Sequence, residues 1–352
     1  MRVDRGYIFL YAVLILAFVG CDVHEFPIDN NNDIEISLQL AFDKDMPLHT
    51  TINYSRSGNN GSEQHDIRYI INAYRTDNGE SRRADTTFIF TKSDITDLNY
   101  STRIKLHRGN YNLRVWADYV NSGSKEDKYY DTSNFEEIII LNKTHHAGSN
   151  DYRDAFVGNT EIALKEDIST SPTLLDAKIE MYRPMGKFSF VATDGEEFIS
   201  NIVQKMIDEE GLSNDNSNLS YEQMLQKVDL NQFNIIFHYN AFMPCSFNMF
   251  TDKPADSWTN MTFSSRMQSR ANKEIELGFD YIFVNDKDTS LNISVEIYDK
   301  NGVLLSASKP IDVPIVRNKL TLVKGSLLTP SISNGGTTIN PGFDGDDYNI
   351  EI

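Results

Sequence analysis

Apolar residues alternate with polar ones along the first regular segment of the chain. The apolar positions are Ile34, Ile36, Leu38, Leu40 and Phe42. A period of two is typical of a β-strand with one buried face. Similar alternation or a short apolar run returns at 67–73, 87–90, 100–106, 111–119 and 137–141. Many short strands separated by turns favour a β-sandwich or barrel over an α/β fold.

The second half of the chain contains a stretch with helical spacing. The apolar residues that share one helix face there are Phe198, Ile202, Val203, Met206 and Ile207. Gly211 supplies a helix stop, and Ser220 with Gln223 has the form of a capping box for a second short helix. Strand patterns resume at 233–239, 275–284, 291–298, 303–313 and 319–323. We therefore predict a mainly all-β protein with a short helical insertion near 196–210.

These patterns divide the chain into consecutive parts. Residues 34–177 predict an N-terminal β-sandwich domain and residues 178–330 a C-terminal one, joined by a linker at 172–177. The length of 352 residues supports two domains rather than one. Residues 331–352 are a Gly/Pro-rich tail whose last residues, Tyr348–Ile352, alternate again. Chain ends fray unless they pair with something, so a strand pattern there predicts a pairing partner.

The N-terminus has the layout of a secretory signal. Arg2 and Arg5 precede an uncharged apolar stretch at 7–19, which is shorter than the about 20 residues that a membrane-spanning helix needs. Cys21 follows two residues later. This arrangement resembles the lipobox of bacterial lipoproteins, although Phe18 stands where Leu, Val or Ile is usual.

The lipobox implies that residues 1–20 are removed and that Cys21 receives the lipid. Residues 21–33, which are polar, would then form a flexible tether between the lipid and the fold. The predicted location is the outer membrane, at the cell surface. The alternative is an ordinary signal peptide followed by a coincidental cysteine.

Charge and cysteine content narrow the classes of partner. The chain has 33 basic and 51 acidic residues, a net charge of −18. Removing the leader takes away Arg2, Asp4 and Arg5, so the mature chain would carry −19. Such a surface repels nucleic acid, and acyl anchoring needs no basic patch. Lipidation of Cys21 would leave Cys245 as the one remaining thiol, which excludes an intramolecular disulfide.

Side chains capable of chemistry form no recognised site. His145 and His146 are adjacent, so on a strand they point to opposite faces and cannot chelate one ion. With the Asp-Tyr-Arg-Asp run at 151–154 they are interpreted as a polar loop. Cys245 lies in an apolar context that suits a buried structural thiol.

Known catalytic and metal motifs are also missing. The aspartates near 286–288 and 344–347 do not have the spacing of a twelve-residue calcium loop. The sequence lacks a nucleophile elbow, a phosphate-binding loop and a dinucleotide fingerprint. We therefore expect no catalytic residue, no metal site and no cofactor, and we expect the protein not to be an enzyme.

A glycan-binding platform normally exposes Trp or Tyr on loops, and the chain has two tryptophans. Trp258, in a polar stretch at 256–260, is the candidate for a glycan contact on a loop. Trp116 lies on the outward face of a predicted strand, where it would pack beneath a loop or against the other domain. Structural packing is the favoured interpretation of both.

Several segments together resemble the fimbrillin-like lipoproteins of anaerobic Gram-negative gut and oral bacteria. The resemblance lies in Cys21, the first strand at 34–42, and the segments 106–118, 183–188 and 316–321. The family includes stalk, anchor and tip subunits of pili, and this chain is most similar to a branch with a domain of unknown function. The resemblance implies two tandem transthyretin-like β-sandwich domains.

The resemblance also implies a mode of assembly. In polymerising members a protease cuts after an Arg beyond the first strand, and a terminal strand of the neighbouring subunit fills the groove, which is β-strand addition. Arg56 is the first Arg after the strand at 34–42, and Tyr348–Ile352 is the candidate donor strand. The alternative is that both strands complete their own domains.

The predicted function is that of a lipid-anchored structural or adhesive surface protein, a fimbrial subunit or fimbrial anchor. Its partners would be the outer membrane, through the lipid, and other fimbrial subunits. A host or bacterial surface protein or glycan is a further candidate partner. The alternative function is a surface lipoprotein that binds a glycan or protein without polymerising.

Overall fold

The computed structural model describes residues 33–42, 64–77, 79, 81–164, 175–210, 219–285, 289–329 and 347–351. The predicted leader and nearly all of the predicted tether lie outside these residues.

Strands dominate the described chain, and the predicted all-β class is confirmed. The strands of the first half are β1 (Asp33–Phe42), β2 (His65–Arg75), β3 (Thr86–Lys92), β4 (Tyr100–His107), β5 (Gly109–Asn121), β6 (Tyr130–Asp131), β7 (Ile138–Ile140), β8 (Ala155–Leu164) and β9 (Leu175–Met181). Those of the second half are β10 (Met185–Ala192), β11 (Asn234–Pro244), β12 (Ser246–Asn248), β13 (Lys253–Pro254), β14 (Ser257–Ser265), β15 (Gln268–Ser269), β16 (Ile275–Phe283), β17 (Thr289–Tyr298), β18 (Leu304–Ala307), β19 (Ile311–Ile315), β20 (Leu320–Gly325) and β21 (Asp347–Glu351).

The predicted helical insertion lies between β10 and β11. It consists of α1 (Gly195–Glu210) and α2 (Tyr221–Lys227). The capping box at the start of α2 is present: the Ser220 hydroxyl accepts from the Gln223 backbone N–H, and the Gln223 side chain accepts from the Ser220 backbone N–H. Phe198 of α1 packs edge-on against Phe233, with 5.2 Å between ring centroids, so the insertion is part of the second core.

The first sandwich packs two sheets face to face. One sheet has the order β4-β1-β9 and the other β3-β2-β5-β8. The core between them contains the alternating apolar residues predicted from the sequence, which are Ile36, Leu38 and Leu40 of β1, Tyr69 and Ile71 of β2, and Leu113 and Val115 of β5. Period-two alternation therefore identified the inward face of each strand correctly.

The second sandwich has the same design. One sheet runs β15-β16-β10-β20-β21 and the other β14-β11-β17-β18, with β19 also paired to β17. Aromatic rings fill the space between the sheets: Phe237 and Phe263 stack with 4.5 Å between centroids, and Phe190 meets Phe237 edge-on at 5.4 Å.

The first strand of each sandwich occupies the same place in its sheet. β1 pairs antiparallel with β4 and parallel with β9, and β10 pairs antiparallel with β16 and parallel with β20. β1 and β10 are thus central strands, and the parallel partner of each, β9 or β20, comes from the end of the same sandwich in sequence. The second sandwich differs because β21 adds a further parallel strand beyond β20.

The predicted domain boundary at 177/178 falls inside a strand. β9 pairs with β1 along its length, from Leu175 opposite Ile36 to Met181 opposite Phe42. Ile179 and Met181 are buried in the first core, so the apolar alternation of this segment belongs to the first sandwich. Pro184, directly before β10, marks a better division, and the predicted linker at 172–177 overlaps β9.

A small sheet of order β13-β12-β7-β6 joins the two halves of the chain. Ile138 and Ile139 of β7 pair with Phe247 and Ser246 of β12. Ile138 and Ile140 are buried in the second core. The prediction that 34–177 forms one domain is therefore wrong for this segment, which packs on the second sandwich because its apolar residues find their partners there.

Candidate functional site

The outward faces of β2 and β5 are buried and carry ion-paired charges beside apolar side chains. Arg68 of β2 makes a two-pronged ion pair with Asp118 of β5, at 2.9 and 2.7 Å, and also contacts Asp127 at 2.9 Å. Arg114 donates to the Met249 carbonyl of the second half at 2.6 Å. In the sequence these residues have the pattern of a solvent-exposed strand face. Charge pairing allows Arg68 and Asp118 to be buried within the first half, and Arg114 makes the bond to the second half.

The Asp-Tyr-Arg-Asp run, interpreted from the sequence as a polar loop, is one side of the contact between the halves. A 3-10 turn at Asp151–Arg153 presents it. Asp151 accepts a hydrogen bond from Lys187 at 2.7 Å, and Asp154 accepts from Arg183 at 2.8 Å. Arg153 pairs with Asp280 of β16. Three successive charged side chains of the run therefore bind strands or connections of the second sandwich.

The centre of the contact is a cluster of four buried polar groups. Around Asp280 lie Arg153, His146 at 2.6 Å and the Tyr239 hydroxyl at 2.6 Å. Burial alone would raise the pKa of Asp280, but the Arg153 guanidinium holds it below its usual value. Burial, with the positive charge of Arg153, lowers the pKa of His146.

This cluster does not have the access that a catalytic site needs. The side chains of His146 and Asp280 are each 1% exposed, so no substrate reaches them in this conformation. Its chemistry suits a structural role, since buried ion pairs hold their partners in a fixed geometry. His145, by contrast, is exposed and ends a 3-10 turn at Lys143–His145. The two histidines therefore differ in burial, but they do not lie on the strand that the prediction of opposite faces assumed. Among the described residues, no group of three or more His, Cys, Asp or Glu side chains could hold a metal ion.

The two tryptophans have different surroundings. Trp116 is fully buried, 5.3 Å from the Tyr130 ring and 6.4 Å from the Phe283 ring of the second sandwich. Its predicted packing against the other domain is therefore confirmed. Trp258 lies at the start of β14, and its predicted loop position is wrong. The Lys143 ammonium lies 5.4 Å from its ring centroid, and its role as a ligand contact stays a prediction.

Cys245 is buried, and burial raises the pKa of its thiol to about 12. The thiol is therefore protonated at neutral pH, as expected for a structural cysteine.

The strand at 34–42 is integral to the first sandwich. β1 hydrogen-bonds to neighbours on both sides, and Ile36, Leu38 and Leu40 are fully buried. The hydroxyl and amide side chains between them face outward, and Gln39 is exposed. β1 joins β4 to β9 in the middle of the sheet. Its removal would therefore leave a groove between β4 and β9.

The terminal strand has a different setting. β21 pairs with β20 alone, in parallel, from Asp347 opposite Leu320 to Glu351 opposite Lys324. In this structure the predicted donor segment is thus paired within its own chain. Cys21 and Arg56 lie outside the described residues, as do Ile352 and the aspartates at 286, 288, 344 and 346. Lipid attachment at Cys21 and cleavage after Arg56 therefore remain predictions.

The fold and the contact between its halves define a class: a two-sandwich β protein whose buried polar residues hold the halves together. The chain belongs to a family of unknown function, DUF6562, which matches residues 30–352. The predicted branch with a domain of unknown function is confirmed by this match. No curated protein matches the chain.

Three solved structures show what the chain is similar to. The fimbrial anchor protein Mfa2 from Porphyromonas gingivalis is 9% identical, with 78% of this chain and 82% of that chain covered and a TM-score of 0.37. A fimbrial assembly protein from Parabacteroides distasonis is 11% identical, with coverage of 86% and 93% and a TM-score of 0.38. A candidate cell-adhesion protein from Bacteroides eggerthii is 12% identical, with the same coverage and a TM-score of 0.42. No helix among the described residues is long and apolar enough to cross a membrane.

Proposed function

We propose that the protein is a non-enzymatic, lipid-anchored surface protein of the outer membrane that serves as a fimbrial subunit or anchor. The observation that carries the proposal is the position of β1, a terminal strand that lies in the middle of its sheet. Strand addition requires a place in a sheet that a strand from another chain can fill. β1 defines such a place, since its neighbours β4 and β9 pair with it and not with each other.

The apolar pattern of β1 also describes what a replacement strand must supply. Ile36, Leu38 and Leu40 project into the first core at alternate positions. Any strand with apolar residues at every second position could take the same register. The end of the chain has this alternation, at Tyr348, Ile350 and Ile352.

The connection to β21 is long enough for either pairing. Residues 330–346 separate β21 from the rest of the second sandwich, and 17 extended residues span at most roughly 60 Å. The terminal strand can therefore pair with β20 of its own chain, as in this structure, or with a neighbouring copy. If β21 pairs with a neighbouring copy, the protein polymerises. If β21 pairs with β20 of its own chain, it ends the polymer.

The lipid at Cys21 is the proposed working attachment. Cleavage after Arg56 would release Cys21 together with β1, whereas an uncleaved chain stays on the membrane through its acyl chains, at about 0.8 kcal/mol per buried CH₂ group. Permanent attachment is the arrangement we favour, and it fits an anchor or a cap better than a repeating stalk unit.

Labelled fatty-acid incorporation tests the anchor. The two cysteines of the chain give a matched pair of variants, Cys21→Ala and Cys245→Ala. We expect the label in the wild type and in Cys245→Ala, and none in Cys21→Ala. Proteolysis of intact cells should degrade the wild-type protein if it faces outward. Label retained by Cys21→Ala would contradict the proposed attachment.

Gel electrophoresis tests assembly separately. Strand-exchanged multimers resist heat in detergent, so a polymerising chain should give a ladder of bands. With β1 retained, as we favour, its place in the sheet stays filled and we expect the wild type to run as a monomer. A ladder that disappears when residues 347–352 are deleted would instead indicate polymerisation through the terminal strand. A wild-type protein that runs only as a monomer, with the lipid in place, would favour a cap or a non-polymerising lipoprotein.

A further inference from the structure

Two neighbouring cavities on the second sandwich share lining residues, and we call them together the groove. The larger is an open depression of about 540 Å³ beside the hairpin that joins β17 to β18. The smaller encloses about 160 Å³ and opens between the ends of β14 and β16. Asn234 and Arg266 line both, so the two compartments meet at these side chains. The larger volume lies within the roughly 300–1,000 Å³ that small-molecule sites occupy.

The charges that line the groove cancel. Arg266 and Lys300 contribute two positive charges, and Asp299 and Glu276 contribute two negative ones. Asp299 accepts from backbone N–H groups of its own hairpin turn, and Glu276 pairs with Arg270 at 3.1 Å. Summed over both cavities, neither sign of charge is in excess, so a strongly charged ligand has no net attraction to the lining. The groove therefore favours an uncharged ligand, in a protein whose net charge is strongly negative.

The uncharged lining of the larger compartment suits hydroxyl groups. The side chains of Asn231, Gln232 and Asn234 reach the groove from consecutive or alternate positions. The Asn231 amide already donates to Asp229 at 3.1 Å. The carboxamides of Gln232 and Asn234 each offer both a donor and an acceptor, the combination that matches a pair of neighbouring hydroxyls. Arg266 adds donors at the junction, where one of its nitrogens is held by the Phe233 carbonyl at 2.9 Å.

An aromatic ring supplies the apolar part of the site. Tyr298 lines the larger compartment beside Ile236, and both are half-buried. The Tyr298 hydroxyl donates to Glu296 at 2.7 Å, and Glu296 also contacts His238 at 3.0 Å. These contacts fix the ring before a ligand arrives. A fixed ring next to carboxamides is suited to a sugar, which has an apolar C–H face and hydroxyls at its rim.

The smaller compartment is lined by hydroxyl groups. The Ser149 and Ser265 hydroxyls lie 2.7 Å apart, and the Ser149 hydroxyl also accepts from the Phe279 backbone N–H at 3.1 Å. Ser149 has a φ of 53°, a left-handed conformation that is uncommon for a residue with a side chain. The contacts to β16 hold this conformation at the inner end of the groove, where a small polar substituent would fit.

We propose that the groove binds a neutral saccharide chain, with one sugar ring on Tyr298 and its hydroxyls bonded to Asn234, Gln232 and Arg266. The smaller compartment receives a substituent or the chain end. Neither β1 nor β21 lines the groove, so the inference goes beyond the assembly proposal and stands or falls independently of it.

The test is binding of the full-length protein in detergent to an array of neutral oligosaccharides, followed by titration of the strongest one. We expect Asn234→Ala to weaken binding about tenfold, the loss of one or two hydrogen bonds, and Tyr298→Ala to weaken it by at least that factor. Asn240→Ala is the matched control, because Asn240 lies on the same face of β11 but outside the groove and bonds to Asn292 at 3.1 Å. It should leave affinity unchanged.

Several results would overturn the inference. One is an array on which no neutral oligosaccharide binds, and another is a clear preference for acidic sugars. A third is binding that survives Asn234→Ala and Gln232→Ala, two half-exposed positions whose substitution should leave the thermal midpoint unchanged. Binding lost only in Trp258→Ala would place the sugar at the tryptophan instead.

Discussion

The first and last strands of the described residues, β1 and β21, differ in how the fold uses them. β1 pairs on both sides and places its alternate side chains in the first core, whereas β21 pairs on one side at the edge of the second sheet. Removing a central strand leaves two neighbours without hydrogen-bond partners, but removing an edge strand leaves one. The difference indicates that β1 is a structural part of the sandwich, and that β21 is the strand that can leave its place at the lower energetic cost.

The largest effect should come from a charge at the centre of β1. Leu38 is fully buried, and its neighbour Gln39 is exposed, which makes Leu38→Asp and Gln39→Asp a matched pair. Leu→Ala in a core costs about 2–5 kcal/mol, and a buried carboxylate adds to that. We expect Leu38→Asp to unfold the first sandwich in denaturant titrations, and Gln39→Asp to stay within about 0.5 kcal/mol of the wild type. Equal losses in the two variants would contradict a central role for β1.

The next effect concerns the contact between the halves. Arg153→Met leaves Asp280 buried without its guanidinium, and breaking a buried ion pair costs about 3–5 kcal/mol. We expect the unfolding transitions of the two sandwiches, measured by calorimetry, to separate in this variant. An exposed pair, Lys178 with Glu180, gives the control, because Lys178→Met should change stability by less than about 1 kcal/mol. One unchanged, cooperative transition in Arg153→Met would show that the polar cluster does not couple the halves.

Deletion of β21 should destabilise the protein less than a charge in β1 does. Deleting residues 347–352 removes pairing along one edge of β20 only. The hydrogen bonds lost are partly offset by the chain entropy regained, so we expect about 1–2 kcal/mol. The measurement is urea unfolding of the truncated chain, with deletion of Ile352 alone as the control. A loss as large as that of Leu38→Asp would mean that β21 is as integral as β1.

The smallest effect is a pH dependence that separates the buried histidine from the exposed one. The folded pKa of His146 lies below its usual 6.5, so only the unfolded chain takes up this proton as the pH falls through 6.5. Folding stability therefore declines below that pH by at most about 1.4 kcal/mol per unit. The groups facing His146 are Arg153, Asp280 and Tyr239. Asp280 has a lowered pKa, so its own contribution is lost only at pH values below 3.8.

Adjacent histidines provide the control for this effect. His146→Asn should lose this part of the slope between pH 6.5 and 5, and His145→Asn should keep it. The measurement is the free energy of unfolding at each pH. A slope that disappears with His145 instead would contradict the assignment of the buried group.

Prediction from the sequence succeeded where a residue's environment depends on its own strand. The alternation at 34–42 identified β1 and its buried face, and the spacing at 198–207 identified α1. The capping box of α2 was predicted for the same reason, because Ser220 and its partner Gln223 are only three residues apart.

Prediction failed where the environment depends on distant parts of the chain. The outward residues of β5, such as Arg114 and Asp118, have a solvent-exposed pattern, yet they are buried because another segment covers them. Arg153 and Asp280 are 127 positions apart, and no local pattern connects them. β7 pairs with β12 more than 100 residues away, which is why its segment was assigned to the wrong sandwich. β9 pairs with the distant β1, which is why the boundary at 177/178 was misplaced. The groove is likewise assembled from five separated segments, so its residues could not be grouped from their order in the chain.

The mass of the mature protein, purified from membranes of the producing bacterium, tests the central claim most directly. The claim is that Cys21 remains the attachment and that β1 stays in its sheet. We predict an acylated N-terminus at Cys21 and recovery of the peptide that contains residues 34–42. A mature chain that begins after Arg56, without lipid and without that peptide, would contradict it.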